Sequence, residues 1–167
     1  MRNNRLSRWQ STLIVVDKID NNISIIVNQL AKLDSKLVNW SKRHGPKSKI
    51  DKEILDDFEE YLTISYLWVL GAYEIIRTIH QACIKNNIFP QETLKEIKDT
   101  KDYFARLRMP LAKLEPEKYH KHTDHSIAFP HNTQKGIGWL LGKGLCITRI
   151  ALSDKFLELL ETMKGRQ

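Results

Sequence analysis

From Leu6 onward, apolar residues recur at steps of three and four: Leu6, Trp9, Leu13, Val16, Ile19, Ile23, Ile26, Leu30, Leu33, Leu37 and Trp40. This is the period of one helix face, close to a heptad, with a slip between Val16 and Ile19. A stripe of that length has to be covered, by the rest of the chain or by a second copy. It predicts a helix over about Leu6 to Lys42, roughly 55 Å long at ~1.5 Å per residue. Asp20, Asn21 and Asn22 are poor helix formers and stand at the slip, so a break or kink there is the alternative to a continuous rod.

The rest of the chain reads as further helices with one exception. Lys42, Arg43 and His44 followed by Gly45 and Pro46 mark the end of the first helix, and Ser48 with Asp51 forms a capping-box-like start to a second. That second helix carries Leu62, Ile64, Leu67, Trp68, Val69, Leu70, Ala72, Ile75, Ile76, Ile79 and Cys83 on most of its sides, which predicts a central, buried helix ending near Lys85-Asn86-Asn87. A short connection makes the two an antiparallel hairpin, and Gly71-Ala72 offers a flat spot for close approach. A third helix follows Pro90, with Pro110 ending or kinking it. Periodicity fails from Glu115 to Lys135, which reads as an ordered loop anchored by Ile127, Ala128 and Phe129. Ile137, Trp139 and Leu141, then Leu145 and Ile147, flank Gly142-Lys143-Gly144 as a small hairpin would. A last helix spans about Arg149 to Lys164. The expected fold is mostly α: an up-and-down helical bundle of about four main helices with a small C-terminal β-hairpin, a single helical domain over 1–167.

Composition narrows the class of protein. An apolar content of 41 % and four tryptophans describe a folded chain. Lys and Arg number 27 against 20 Asp and Glu, so the formal charge is +7, compatible with nucleic acid or another polyanion as partner. The two cysteines, Cys83 and Cys146, make no disulfide framework and form no Cys-x-x-Cys pair. The apolar run Leu13–Val16 ends at Asp17, too short for a secretory signal, and the Tyr66–Tyr73 stretch is too short to span a bilayer. The expectation is a cytoplasmic protein with no membrane partner.

Three constellations carry potential chemistry. His120, His122, Asp124 and His125, with His131 beyond, combine imidazoles and a carboxylate. Those groups serve zinc or nickel, or acid–base cleavage of RNA in which one imidazole acts as base and another as acid. Their spacing matches no metal motif, Lys121 among them opposes a cation, and a solvated loop explains the same residues. Glu74, Arg77 and His80, with Gln81, interrupt the most apolar part of the second helix. They read as a satisfied ion pair or as the floor of a polar cleft in which Arg77 holds a phosphate or carboxylate. Arg106, Arg108, Lys113, Lys118 and Lys121 cluster around Pro110 and could join Arg2, Arg5, Arg8, Lys42, Arg43, Lys47 and Lys49 in a phosphate-binding face, thinly interleaved with Tyr103, Phe104 and Tyr119. A solvated helix face accounts for them without any ligand and is the preferred reading.

Two further motifs fail on inspection. Gly136 to Gly144 is no phosphate loop, because Ile137 stands where the first glycine belongs and Gly144 where a magnesium-binding hydroxyl belongs. No serine has a nucleophile-elbow context, and neither cysteine has a charged neighbour. A basic helical bundle of this size is loosely similar to HEPN-type domains, some of which are RNases. Their spaced Arg–His motif is not met: Arg77-Thr78-Ile79-His80 has too few intervening residues and Arg108 to His120 too many, so the resemblance carries no residues over. No cofactor or metal is expected. The favoured function is a non-enzymatic helical interaction or binding protein, possible self-association running through the first helix. A small RNA-directed or metal-dependent hydrolase using the histidine-rich segment, and a non-catalytic nucleic-acid binder, are the alternatives.

Overall fold

The computed structural model describes residues 4–43 and 52–166, with side chains from 5–42 and 57–166. The chain is mostly helical, with a three-stranded antiparallel sheet towards the C-terminus. In order, the elements are α1 (Asn4–Asp17), α2 (Asn21–Arg43), α3 (Lys52–Asn86), α4 (Gln91–Ala112), a 3-10 turn (Lys118–His120), β1 (Asp124–Thr133), β2 (Gly136–Gly142), β3 (Leu145–Thr148) and α5 (Arg149–Gly165). The expected cap at Gly45-Pro46 and the Ser48–Asp51 start lie outside the described residues.

The single rod expected at the start of the chain is instead two helices. Ile19 and Asp20 donate their backbone N–H to the Val16 carbonyl, both at 2.9 Å, and the Asp20 carboxylate accepts from Asn22 N–H at 2.7 Å. Asp20 therefore caps a new helix rather than continuing the old one. The restart shifts the apolar phase: Ile23, Val27, Ala31, Leu37 and Val38 are buried, whereas Ile26 of the sequence stripe is exposed. Antiparallel packing follows from cross-helix bonds. The Trp68 indole donates to the Leu30 carbonyl at 3.0 Å, Ser41 bonds the Tyr61 hydroxyl, and Trp40 stacks on Tyr61 at 3.8 Å between ring centroids. A Cβ at Gly71, the expected close-approach point, would meet the Leu30 side chain at 3.5 Å, an ordinary contact that does not require glycine.

α3 is buried on one face only: Trp68, Val69, Ala72, Ile76, Ile79 and Cys83 face inward, while Leu67 and Ile84 face out. Asn87, with φ of 50°, ends it. Asn87 N–H bonds the Ile84 carbonyl and Ile88 N–H the Cys83 carbonyl, the paired closure of a Schellman motif. Pro110 does not stop α4 at once; the helix runs on to Ala112, and Lys113 N–H closes on Met109.

Within the segment read as a loop, Asp124–Thr133 forms a strand. β1 pairs with β2, and β2 with β3, in the order β1-β2-β3. The expected hairpin about Lys143-Gly144 is thus the second half of a meander. Alternation failed as a signal in β1 because it carries a bulge: from Asp124 to Phe129 is five residues, opposite only two from Gly142 to Leu140. Of its expected anchors only Ala128 is buried; Ile127 and Phe129 are exposed. β2 is buried almost throughout, with Ile137, Trp139 and Leu141 in the core beside Ile147 of β3. Gly136 sits at φ of 94°, and a Cβ there would fall 2.6 Å from Ser41 Oγ and 2.7 Å from Tyr61 Oη. Thr148 then caps α5, its hydroxyl accepting from Ala151 N–H at 3.2 Å.

The core joins the helices through aromatic contacts. Trp9 of α1 meets Phe156 of α5 edge-on at 5.3 Å, Phe156 meets Phe104 of α4 at 6.3 Å, and Phe104 meets Trp68 of α3 at 6.4 Å. Beside this chain lies one buried carboxylate. Asp34, 0 % exposed, accepts from Arg5 Nε (2.6 Å), Trp9 Nε1 (2.9 Å), Arg149 (2.5 Å) and Ser153 Oγ (2.6 Å). Arg5 also reaches Asp154 at 2.6 Å, so two guanidinium groups face two carboxylates.

Burial alone would push the Asp34 carboxyl up, but the charges of Arg149 and Arg5 and the bonds from Arg5 and Ser153 outweigh it and hold it below the ordinary 3.8. The folded carboxyl therefore binds a proton more weakly than the unfolded one. Its stabilisation is complete above pH ~4 and is lost as pH falls through the folded value. Asp34→Asn keeps the shape but leaves Arg149 without its counter-charge and Arg5 with Asp154 alone. It is expected to cost about 3 kcal/mol at neutral pH in urea unfolding and to flatten the acid limb of stability against pH. A variant as stable as the parent would show that the network is incidental.

Candidate functional site

The residues of the histidine segment are gathered where β1 starts. Arg106 projects from the last turns of α4 and grips Asp124 with two bonds of 2.8 Å, Nε to one carboxylate oxygen and a terminal nitrogen to the other. The Asp124 side chain is 1 % exposed and also accepts from Thr123 Oγ1 at 3.0 Å. The 3-10 turn ahead of it is set by Glu117, whose carboxylate accepts from Tyr119 N–H at 2.8 Å. Across the sheet, Gly142 ends β2 so close to Thr123 that a Cβ would collide with the Thr123 carbonyl oxygen. Glycine at this position lets the β2–β3 turn lean over the start of β1.

Between them is an open cleft of about 510 Å³ lined by Arg106, His122, Thr123, Asp124, His125, Gly142, Lys143 and Leu145. Arg106 bonds hold the Asp124 carboxyl below its usual range, opposed by burial and assisted by Thr123 and the Arg106 charge. The acid is thereby committed and neutralised. Lys143, exposed at the tip of the turn, has no carboxylate partner among the described residues. The cleft consequently presents cationic and imidazole groups to solvent, with its one acid already occupied.

Other expected site residues are placed elsewhere. Glu74 and Arg77 form an exposed pair at 2.8 Å on α3. Arg108 stands 3.6 Å from Glu74 and 5.2 Å above the Tyr73 ring. Arg77 does not line the histidine cleft, so the convergence of imidazoles with that arginine is absent. His80 borders a separate cleft of about 440 Å³ with Ile84, Asn87, Gln91, Leu94, Lys95 and Lys98, and burial and the Lys101 charge lower its basicity. Lys113 caps the end of α4 with an exposed side chain. His120 closes the 3-10 turn, its carbonyl accepting from Thr123 N–H at 3.0 Å, and His131 is exposed opposite Gly138. Arg5 and Arg8 do not join a phosphate face; Arg8 pairs with Glu161 by two bonds of 2.8 Å and Arg5 with the Asp34 network. Among the described residues, no three His, Cys, Asp or Glu side chains are grouped to hold a metal ion.

Sequence reading missed Lys143 as a site residue and missed the Asp34 network entirely. In the sequence Lys143 stands at the lysine position of a phosphate loop whose other positions do not fit, and between two turn glycines. No family profile, curated protein or solved structure matches the chain.

Substituting Arg106 tests this geometry. Arg106→Ala removes both bonds to Asp124, so the Asp124 carboxyl is expected to titrate at higher pH by NMR, and stability is expected to fall by about 2 kcal/mol. An unchanged Asp124 titration would mean the pair does not form in solution.

Proposed function

We propose that this chain is a non-enzymatic binding protein, and that its cleft at the start of β1 holds an anionic partner. The carrying observation is the composition of the cleft: Arg106, His122, His125 and Lys143 share one open mouth whose acid is already bonded. A charge of +7 over the whole chain favours the same class of partner. The basic residues that pair internally, Arg5, Arg8 and Arg149, secure the helices and are not offered to it.

Chemistry that needs a free carboxylate fits the cleft less well. Asp124 is bonded by Arg106 and Thr123, so it is not free to act as a base or a metal ligand, and only the imidazole pair is left for acid–base work. The hydrolase reading keeps one observation, that His122 and His125 both line the cleft. The finer architecture belongs with this reading: an up-and-down bundle in the cytoplasm, among whose described helices none is long and apolar enough to cross a membrane. Self-association would use the exposed isoleucines of α1 and α2, Ile14, Ile25 and Ile26, since Trp9, Val16, Ile23 and Leu37 are buried within the chain.

Binding to heparin, a polyanion without bases, is expected to weaken steeply as salt rises, because displaced counter-ions drive it. Lys143→Ala is expected to weaken it and to reduce the slope of log K against log salt by about one. Salt-independent binding, or none, would remove the anion reading.

A further inference from the structure

The cleft does not end at its charges. The bulge in β1 carries the chain from the cleft to Phe129, which stands opposite Leu140, itself opposite Cys146 on β3. These three share the sheet face that points away from the core residues Trp139 and Ile147. Phe129 is 52 % exposed, and the His125 ring meets it edge-on at 6.1 Å and 75°. His125 is thus common to the cleft and to the aromatic patch. An exposed phenylalanine beside an imidazole, continuous with an unpaired lysine and a paired arginine, is the pairing of π-face and cation that takes a base and its phosphate together.

We propose that this face binds single-stranded nucleic acid, with a backbone phosphate seated at Lys143 in the cleft and a base stacked on Phe129 beside His125. The inference rests on the anion-binding reading and adds the class of partner. The charged groups at the cleft suit a phosphate: among the described residues Lys143 is unpaired, and Asp124, the only acid lining the cleft, is neutralised by Arg106. Glu117 belongs to the adjoining turn, where its carboxylate is held by Tyr119 N–H, and does not line the cleft. A duplex hides its base faces, so stacking selects the single strand.

The test compares three labelled probes by fluorescence anisotropy: a single strand of roughly ten nucleotides, an abasic strand of equal length, and a duplex. Phe129→Ala is expected to weaken the single strand about tenfold while leaving the abasic strand unchanged. Phe129→Trp restores the affinity, and Phe129→Leu, which keeps apolar bulk without a ring, does not. Lys143→Ala weakens all three probes. If Lys143→Ala weakens every probe but Phe129→Ala and Phe129→Leu weaken none, base stacking is overturned and the anion reading stands. If Lys143→Ala changes nothing, or no probe binds, both fall.

Discussion

A carboxylate with no exposed surface is the constraint on which the rest of this fold depends. Asp34 cannot be buried as an anion unless several donors converge on it, and those donors come from distant parts of the chain. Arg5 and Trp9 are in α1; Arg149 and Ser153 are in α5. Satisfying one group on α2 therefore fixes where both ends of the described chain must lie. Apolar packing alone would tolerate rotation or sliding of these helices; the bonded set does not. The Arg149 guanidinium also lies 5.4 Å from the Trp68 ring, so the network abuts the aromatic contacts of the core.

The same constraint positions the cleft indirectly. Arg149 is the first residue of α5 and follows directly on β3. Anchoring Arg149 to Asp34 fixes the end of β3, and β3 in turn pairs with β2, whose other edge carries β1. A second ion pair, Arg106–Asp124, ties the start of β1 to α4. The sheet is thus held at two opposite corners by charge and between them by Ile137, Trp139 and Leu141 in the core. The Lys143 turn projects from that rigid support, which is how an exposed side chain can belong to a defined site.

Helices were legible wherever the buried side was a stripe. The end of α3 at Asn86, the hairpin turn at Lys143 and the span of α5 all follow from local sequence signals. The break near Asp20 was legible as an alternative, since its poor helix formers coincide with the slip in the repeat. What escaped was non-local. Asp34 lies among Leu30, Leu33 and Leu37 and looks like an ordinary polar interruption; only folding brings Arg5 and Arg149 to it. β1 escaped because a bulge destroys period-two alternation and because a strand is defined by its partner, not by its own residues. Histidines and Asp124 were legible as a cluster, but the pairing of Asp124 with Arg106 was not, and that pairing changes what the cluster can do.

Charge accounting decides the character of this site more than the histidines do. An aspartate near imidazoles suggests a metal ligand or a base when only the sequence is read. Once its oxygens accept from Arg106 and Thr123, it offers little to a cation, and the positive charge nearby would repel one. Glu117 on the adjoining turn is held by the Tyr119 backbone N–H, which orients its carboxylate but leaves its charge in place. The acid that lines the cleft is thus paired with a cation, while Lys143 stands between two turn glycines with no carboxylate partner among the described residues. Binding an anion here requires no internal bond to break first, whereas binding a cation would require Arg106 to release Asp124.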